Sequence, residues 1–436
     1  MNKVSSSQST QALTASTLAF TVCFAVWTIF SIIGIKIKND LGLNDTQFGI
    51  LVATPILTGS LSRLFLGIWS DQYGGRLVFT LQMLTTAFAA YLLTKVSTYP
   101  MFIVAALGLG LAGGSFSVGI TYVSKWYSKE RQGTALGIFG MGNVGAAITN
   151  FGAPFLLIAM DGQWQGVAQV YAIILAITAV VFYLFTKNDP ASEERKRKGI
   201  RHESFKKQME PLKDIQVWRF SLYYFFVFGA FVALALWLPR YYVGAYGLEL
   251  KTAGMLAACY ALPGSVFRAL GGWLSDVIGA RKVMYWTFIA SIFCTAIMSY
   301  PATDYTVAGI NGPIHFNITI PLEIFVLLTV VLGFFMSLGK AAVYKHIPVY
   351  YPNHVGSVGG VVGLIGGLGG FVLPITFGIM NDVIGVWTSC FMLLTLLVTI
   401  ALTWMHFVVI AMDKKIDPSR GEPRYLPELE LNPHDG

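Results

Sequence analysis

Long apolar runs alternate with short polar segments along most of the chain. A helix of about 20 apolar residues spans the hydrocarbon core of a bilayer, so the pattern predicts twelve membrane-spanning helices. They are expected at Leu13–Lys36, Thr46–Ser70, Leu77–Lys95, Met101–Trp126, Gln132–Met160, Gly166–Thr186, Trp218–Ala245, Thr252–Ser275, Lys282–Tyr300, Pro321–Ile347, Gly356–Met380 and Gly385–Ala411. The predicted fold class is an all-α membrane protein.

A polar segment at residues 187–217 divides the predicted spans into two sets of six. It carries a run of basic residues and interrupts the hydrophobic pattern, which indicates a cytoplasmic linker. We therefore expect one six-helix bundle at residues 13–186 and a second at residues 218–411. A cytoplasmic segment at residues 1–12 precedes them, and a cytoplasmic tail at residues 412–436 follows.

The charge composition supports a membrane protein and predicts its orientation. Charged residues make up 12% of the 436 residues, whereas about 25% is usual in a soluble domain. The net charge of +8 lies mostly in the predicted loops, and one side holds the larger share: Arg76, Lys129, Arg131, Arg195–Lys198, Arg281, Lys282, Lys414 and Lys415. Because basic loops remain in the cytoplasm, both termini are expected there, with the chain in the inner membrane. This distribution gives no reason to expect a nucleic-acid partner.

Residue spacing provides no support for a metal site, a cofactor or an enzyme. The cysteines Cys23, Cys259, Cys294 and Cys390 fall inside predicted spans without paired or ligand-like spacing. They are interpreted as small apolar packing residues. The histidines are scattered, and no nucleophile triad or phosphate-binding loop occurs.

An internal repeat relates the two halves. The run Ser60–Arg76 returns as Ser265–Arg281, which aligns Arg63 with Arg268 and Asp71 with Asp276. A second repeat opens the fifth and eleventh spans and is rich in glycine, with Gly137, Gly140, Gly142 and Gly145 in the first half and Gly360, Gly363, Gly366 and Gly367 in the second. Small residues allow close helix packing in lipid, and such smooth surfaces also suit bundles that move against each other.

Arg63 and Arg268 are the candidate binding residues. Arg63 precedes Asp71 by eight residues, which places it roughly 12 Å inside the membrane at about 1.5 Å per residue. A charge there costs at least about 2.5–3.5 kcal/mol. A buried pair with a carboxylate is the structural alternative, but no Asp or Glu falls mid-span, and Glu323 at an outer end is nearest. We therefore predict that the two arginines bind an anion.

The side chains constrain the anion. Two guanidinium groups offer planar pairs of donors, which match a planar oxyanion. The neighbouring apolar positions Phe30, Phe228 and Phe231 favour an ion that loses its water easily. Nitrate and nitrite meet both conditions, whereas phosphate needs more donors. Another small anion stays open on this argument.

The run Gly67–Arg76, its repeat at Gly272–Arg281, the twelve spans and the central basic linker resemble the major facilitator superfamily over essentially the whole chain. The resemblance implies two pseudo-symmetric six-helix bundles around a central site reached alternately from each side. Phe24–Trp27 with Phe30, the two arginines, Gly137–Gly145 and Ser221–Gly229 are similar to the nitrate/nitrite porter family. The family pattern implies a nitrate site between Arg63 and Arg268, lined by Asn143, Tyr224, Phe228 and Phe30.

The resemblance also implies roles at two further places. The tenth-span run Gly339–Pro348 is similar to the branch linked to proton-coupled nitrate uptake, which implies proton coupling through Lys340, with Lys345 and His346 as further candidates. Snorkelling of Lys345 to the interface is the alternative for that residue. The superfamily pattern assigns gating to Asp71, Arg76, Asp276 and Arg281.

The expected function is secondary active transport of nitrate, and of nitrite, by alternating access with proton coupling. Nitrate/nitrite exchange and a porter for another small anion are the alternatives within transport. A non-transporting nitrate sensor is a third, although the tail at residues 412–436 is too short for an output domain. The expected partners are nitrate, nitrite, protons and the lipid bilayer, and the protein is expected to be a monomer.

Overall fold

A computed structural model describes residues 6–127, 129–189, 213–351 and 355–413. In the first half the helices are Ser6–Trp27, Phe30–Leu41, Asp45–Tyr73, Gly75–Leu93, Tyr99–Leu109, Ser115–Ser124, Lys129–Gly140, Gly145–Ala159 and Trp164–Phe185, with short 3-10 turns at Gly110–Gly114 and Met141–Val144. In the second half they are Ile215–Tyr224, Phe231–Tyr246, Leu250–Ala261, Pro263–Val266, Arg268–Leu274, Ala280–Met298, Leu322–Tyr350, Val355–Ile384 and Ser389–Asp413, with wider π-helical turns at Phe225–Ala230 and Ser275–Gly279. These elements build the twelve predicted spans.

The described residues contain eleven helical stretches long and apolar enough to cross a membrane, and the longest, Leu250–Met298, contains two crossings. Its turn is at Gly279, with φ 89 and ψ 136. Gly74 makes the same turn between the second and third spans, with φ 93 and ψ 136. Residues other than glycine rarely adopt this backbone conformation, in which φ is positive. The sequence repeat is therefore also a structural repeat.

The two halves meet along a long interface made by the second span, Asp45–Tyr73, and the eleventh span, Val355–Ile384. The surface on the far side of each bundle is apolar. Large side chains such as Phe88, Leu184, Phe293 and Phe407 are exposed there. This pattern is typical of faces that contact lipid.

Residues 301–319, between the ninth and tenth spans, contain an antiparallel hairpin of strands β1 (Thr303–Gly309) and β2 (Gly312–Ile318) that the helical pattern does not predict. Threonine, valine, isoleucine and aromatic residues recur in these strands, and such residues favour a pleated strand. The interpretation of all four cysteines as packing residues fails for Cys259, which is exposed, while the other three are buried.

Part of the chain's predicted polar regions lies outside the described residues. Residues 190–212 of the linker, with Arg195–Lys198, are among them, as are residues 414–436 of the tail, with Lys414 and Lys415. At the other end the first helix begins at Ser6, inside the segment predicted to precede it.

Candidate anion-binding site

Arg63 lies in the middle of the second span and reaches across to the other half. Its Nε donates to the Gly113 carbonyl at 3.2 Å, and its Nη1 donates to the Gly363 carbonyl at 3.2 Å. Gly113 belongs to the 3-10 turn of the fourth span, whereas Gly363 belongs to the eleventh span. The arginine therefore bridges the two bundles.

Arg268 has the reciprocal position. The eighth span is interrupted at Phe267, where ψ is 6, and a new helical segment begins at Arg268. A Cβ atom at Gly140 of the fifth span would lie 3.0 Å from Arg268 Nε, so this arginine packs against the first half. Each arginine thus contacts the bundle that does not carry it.

Both guanidinium groups share one aromatic ring. The Phe116 centroid lies 5.2 Å from the Arg63 guanidinium carbon and 5.5 Å from that of Arg268. Arg63 also lies 5.3 Å from the Phe228 ring, and Arg268 lies 6.0 Å from the Tyr344 ring. Such contacts partly stabilise a cation. They offset part of the cost of burying two like charges beside one ring.

The described residues provide no carboxylate partner for either arginine. The ion pairs among them involve Asp40, Asp45, Asp189 and Asp276 instead. Arg63 and Arg268 are each only 6% exposed. The pair is therefore a concentration of buried positive charge, which favours an anion.

Several buried polar atoms near this pair lack hydrogen-bond partners. They are Arg268 Nη1, the side-chain nitrogen and oxygen of Asn143, and the Ser60 hydroxyl. Ser60 lies one turn from Arg63 and against Gly367. Leaving such an atom unsatisfied costs about 1–3 kcal/mol. An oxyanion that accepts from Arg268 Nη1, Asn143 Nδ2 and the Ser60 hydroxyl would recover part of that cost.

The other residues predicted for the site differ in their surroundings. Tyr224 is fully buried and stacks on Phe228, with ring centroids 5.0 Å apart. Asn143 lies in the 3-10 turn of the fifth span. Phe30 is buried, but its ring is not among the described aromatic contacts of either arginine. It begins the helix that follows the break in the first span.

Three aromatic residues at the arginines were not predicted as site residues. They are Phe116, Tyr344 and Trp27, whose ring lies 5.7 Å from the Arg63 guanidinium carbon. Phe116 follows Gly113 and Gly114, and Tyr344 lies one turn after Lys340. These neighbours, and the place of Trp27 in the run Phe24–Trp27, do not distinguish a binding residue from a packing residue.

The glycines of the second repeat differ in their surroundings. A Cβ atom would collide with Phe20 at Gly142, with Thr21 at Gly145, with Tyr224 at Gly366 and with Ser60 at Gly367, and it would crowd Arg268 at Gly140 and Tyr344 at Gly363. Gly137 and Gly360 have open space instead. Close packing therefore explains six of the eight.

The lysines and the histidine of the tenth span have separate environments. Lys340 is fully buried, donates to the Gly264 carbonyl at 2.5 Å and lies 3.4 Å from the centroid of the Phe231 ring. Lys345 forms an exposed ion pair with Asp276 at 2.5 Å. His346 is buried, with Nδ1 2.8 Å from the Ala342 carbonyl oxygen. Lys340 alone combines full burial with a position beside the central site.

The predicted gating residues lie near the ends of the spans, away from the central site. Arg76 donates through Nε and Nη2 to the Tyr183 carbonyl at 3.0 and 2.6 Å. Asp276 pairs with Lys345, and Arg281 lies in the first turn of the ninth span. The side chain of Asp71 lies outside the described part of the structure. The described contacts of Arg76 and Asp276 remain within their own bundles.

Twelve spans in two related halves, with a polar site at the interface between them, define a membrane protein of the two-bundle transporter class. The family model of the Major Facilitator Superfamily matches residues 15–312 and 252–430. The chain belongs to that superfamily and, within it, to the nitrate/nitrite porter family.

Relatives in this family match the chain nearly end to end. A probable nitrate/nitrite antiporter of Thermus thermophilus is 43% identical over 92% of both chains. A nitrite extrusion protein of Bacillus subtilis (strain 168) is 30% identical over 91% of this chain and 94% of its own. A probable nitrate transporter of Staphylococcus haemolyticus (strain JCSC1435) is 32% identical over 90% and 95%, respectively.

Solved structures share the fold at much lower identity. A bacterial homologue of the human lysosomal transporter Spinster, in an inward-facing and occupied conformation, has a TM-score of 0.69 at 16% identity, covering 95% of this chain and 100% of its own. A nucleoside transporter has a TM-score of 0.67 at 12% identity, covering 91% and 99%. The expected fold of two six-helix bundles is confirmed.

Proposed function

We propose that this protein transports nitrate and nitrite across the inner membrane by alternating access, with the anion bound between Arg63 and Arg268. The observation that carries the proposal is the pair of buried guanidinium groups, which share the Phe116 ring and have no carboxylate partner in the described chain. The relatives are named for nitrate/nitrite antiport, nitrite extrusion and nitrate transport, which supports this substrate.

The surroundings suit a flat, monovalent and weakly hydrated anion. Arg268 Nη1 and the Asn143 amide provide donors without other partners, and charge-assisted hydrogen bonds to a guanidinium group are strong and directional. Phe116 and Phe228 provide the apolar wall. A doubly charged, strongly hydrated ion would lose more hydration free energy than these few donors return.

Alternating access requires the two bundles to separate at one side while they meet at the other. Arg63 and Arg268 each contact the opposite bundle, so an anion between them interacts with both halves at once. The proposed cytoplasmic gate consists of Arg76 and Arg281, at the start of the third and ninth spans, together with Asp71 and Asp276. Both termini would then lie in the cytoplasm, and a single chain suffices for transport.

Proton coupling is assigned to Lys340. Two arginines and one nitrate leave the site with one excess positive charge, and a charged lysine adds a second. Loss of a proton from Lys340 would reduce the electrostatic repulsion among the positive charges of the empty site. Binding of the anion would then favour protonation of Lys340 again. Anion and proton binding would therefore reinforce each other, as a symporter requires. Lys345 and His346 are the next candidates.

Nitrate/nitrite exchange is the second candidate, because the Thermus relative is named as an antiporter. Exchange needs no net proton movement. Uptake of nitrate by purified protein reconstituted into liposomes distinguishes symport from exchange. Symport predicts that an imposed pH gradient drives nitrate accumulation into vesicles without internal nitrite. Exchange predicts uptake only when nitrite is present inside. Failure of both would exclude nitrate transport as proposed.

A further inference from the structure

A polar cluster joins the two bundles at the ends of the first, second, seventh and eleventh spans, on the side opposite to the helix start at Ser6. We call this the outer side. We propose that the cluster is an outer latch, which holds that side closed and must break for the outer side to open. It consists of Lys38, Asp45 and Thr46 of the first half and Arg240, Asn381 and Asp382 of the second.

Asp45 is the centre of the outer latch. Its Oδ1 accepts from Arg240 Nε at 3.0 Å and lies 2.9 Å from Arg240 Nη2. Its Oδ2 accepts from Asn381 Nδ2 at 3.1 Å. Both partners belong to the other half. One carboxylate of the first bundle therefore accepts hydrogen bonds from two spans of the second.

A second carboxylate makes the reverse connection. Asp382 Oδ1 accepts from the Asp45 backbone N–H at 3.1 Å, and its Oδ2 accepts from the Thr46 N–H at 2.8 Å. The second span begins at Asp45, so these N–H groups have no carbonyl partner within the helix. A negative charge there also interacts favourably with the helix dipole. The second bundle thus caps a helix of the first.

Each half holds its own latch residues in place. Lys38 Nζ lies 3.3 Å from Asp45 Oδ1 within the first half, and Arg240 lies 4.7 Å from the Trp387 ring within the second. The side chains of Asp45 and Arg240 are only 10% and 16% exposed. Solvent and salt therefore screen this pair less than they screen a surface pair.

Close backbone packing lies directly beneath the outer latch. A Cβ atom at Gly49 of the second span would collide with the Pro374 carbonyl, and one at Gly378 of the eleventh span would collide with the Asp45 carbonyl. The two spans therefore touch below the ion pairs. The latch and this contact close the same gap, and a path from the outer side to Arg63 requires both to separate.

The proposal holds for any anion that the protein carries, and it can be tested without substrate. The reporter is Ile56→Cys in a chain whose four native cysteines are replaced by alanine. Ile56 is fully buried and lies against Gly370 of the eleventh span. A membrane-impermeant maleimide is added to the outer side, and the labelling rate is measured. We expect Asp45→Asn and Asp382→Asn each to raise that rate at least fivefold.

Asp40→Asn is the matched control. Asp40 forms an ion pair with Lys36 in the same helix as Lys38, at 2.6 Å and about 40% exposure, without joining the bundles. It should change the rate less than twofold. The double variant Asp45→Asn with Arg240→Gln should label at the same rate as Asp45→Asn alone, because Asp45→Asn already removes the ion pair with Arg240.

A separate chain with Cys294 as its only cysteine detects loss of packing, because Cys294 is buried within the second half. It should stay unreactive in every variant. Labelling of Ile56→Cys at the Asp40→Asn rate in both carboxylate variants would overturn the latch. Labelling of Cys294 as fast as Ile56→Cys would also overturn it, since the carboxylates would then maintain folding instead of closing the gap.

Discussion

Replacement of Arg268 by lysine tests whether geometry or charge binds the anion. Lysine keeps the positive charge but replaces the planar group by a single ammonium. The substitution removes Nη1, which has no other partner, and weakens the contact with Phe116. A hydrogen bond between charged groups contributes about 1.5–3 kcal/mol. Loss of one such bond should weaken nitrate binding about 10- to 100-fold, since about 1.4 kcal/mol is a factor of ten.

The assay is nitrate binding to purified protein by calorimetry, followed by initial rates of uptake into liposomes. Arg219→Lys is the matched control, because Arg219 is also buried and lies 4.8 Å from the Phe220 ring, without being part of the proposed site. It should change nitrate affinity less than twofold. Nitrate affinity within twofold of the native value in Arg268→Lys would refute the reasoning. Equal losses of nitrate affinity in Arg268→Lys and Arg219→Lys would also refute it.

Three further predictions follow from individual contacts. Phe116→Leu should weaken nitrate binding about tenfold, because cation–π contacts contribute about 0.5–2 kcal/mol each and this ring faces both arginines; unchanged calorimetric affinity would contradict it. Gly366→Ala should reduce uptake at least tenfold by displacing Tyr224, whereas Gly360→Ala, with open space at its Cβ, should not; equal rates would exclude the packing argument. Lys340→Gln should leave nitrate binding measurable but make uptake insensitive to an imposed pH gradient, and gradient-driven accumulation at the native level would assign coupling elsewhere.

The residues that sequence reasoning found are those whose chemistry conflicts with their surroundings. Arg63 and Arg268 are visible because a charge in an apolar run is expensive, and Lys340 stands out for the same reason. Gly74 and Gly279 are visible through the repeat, and the structure confirms that they make the same turn. The signal is local for the three charged residues, whereas the glycines are found only by comparing the two halves.

The residues that it missed depend on distant parts of the chain. Phe116 is one aromatic residue among 31 phenylalanines, and only the folded structure places it against both arginines. Asp45, Arg240 and Asp382 are ordinary charges in or near the ends of predicted spans, and their pairing follows from the contact between bundles. The β1–β2 hairpin is different, because its strand-forming residues were present in the sequence but were subordinate to the helical pattern around them.

The central claim is that one nitrate binds between Arg63 and Arg268. The most direct measurement is an experimental structure of the protein determined with nitrate and again without it. The account predicts a flat density present only with nitrate, within about 3 Å of a guanidinium nitrogen of each arginine and beside the Phe116 ring. Nitrate density elsewhere in the chain, with this position unchanged between the two structures, would contradict it.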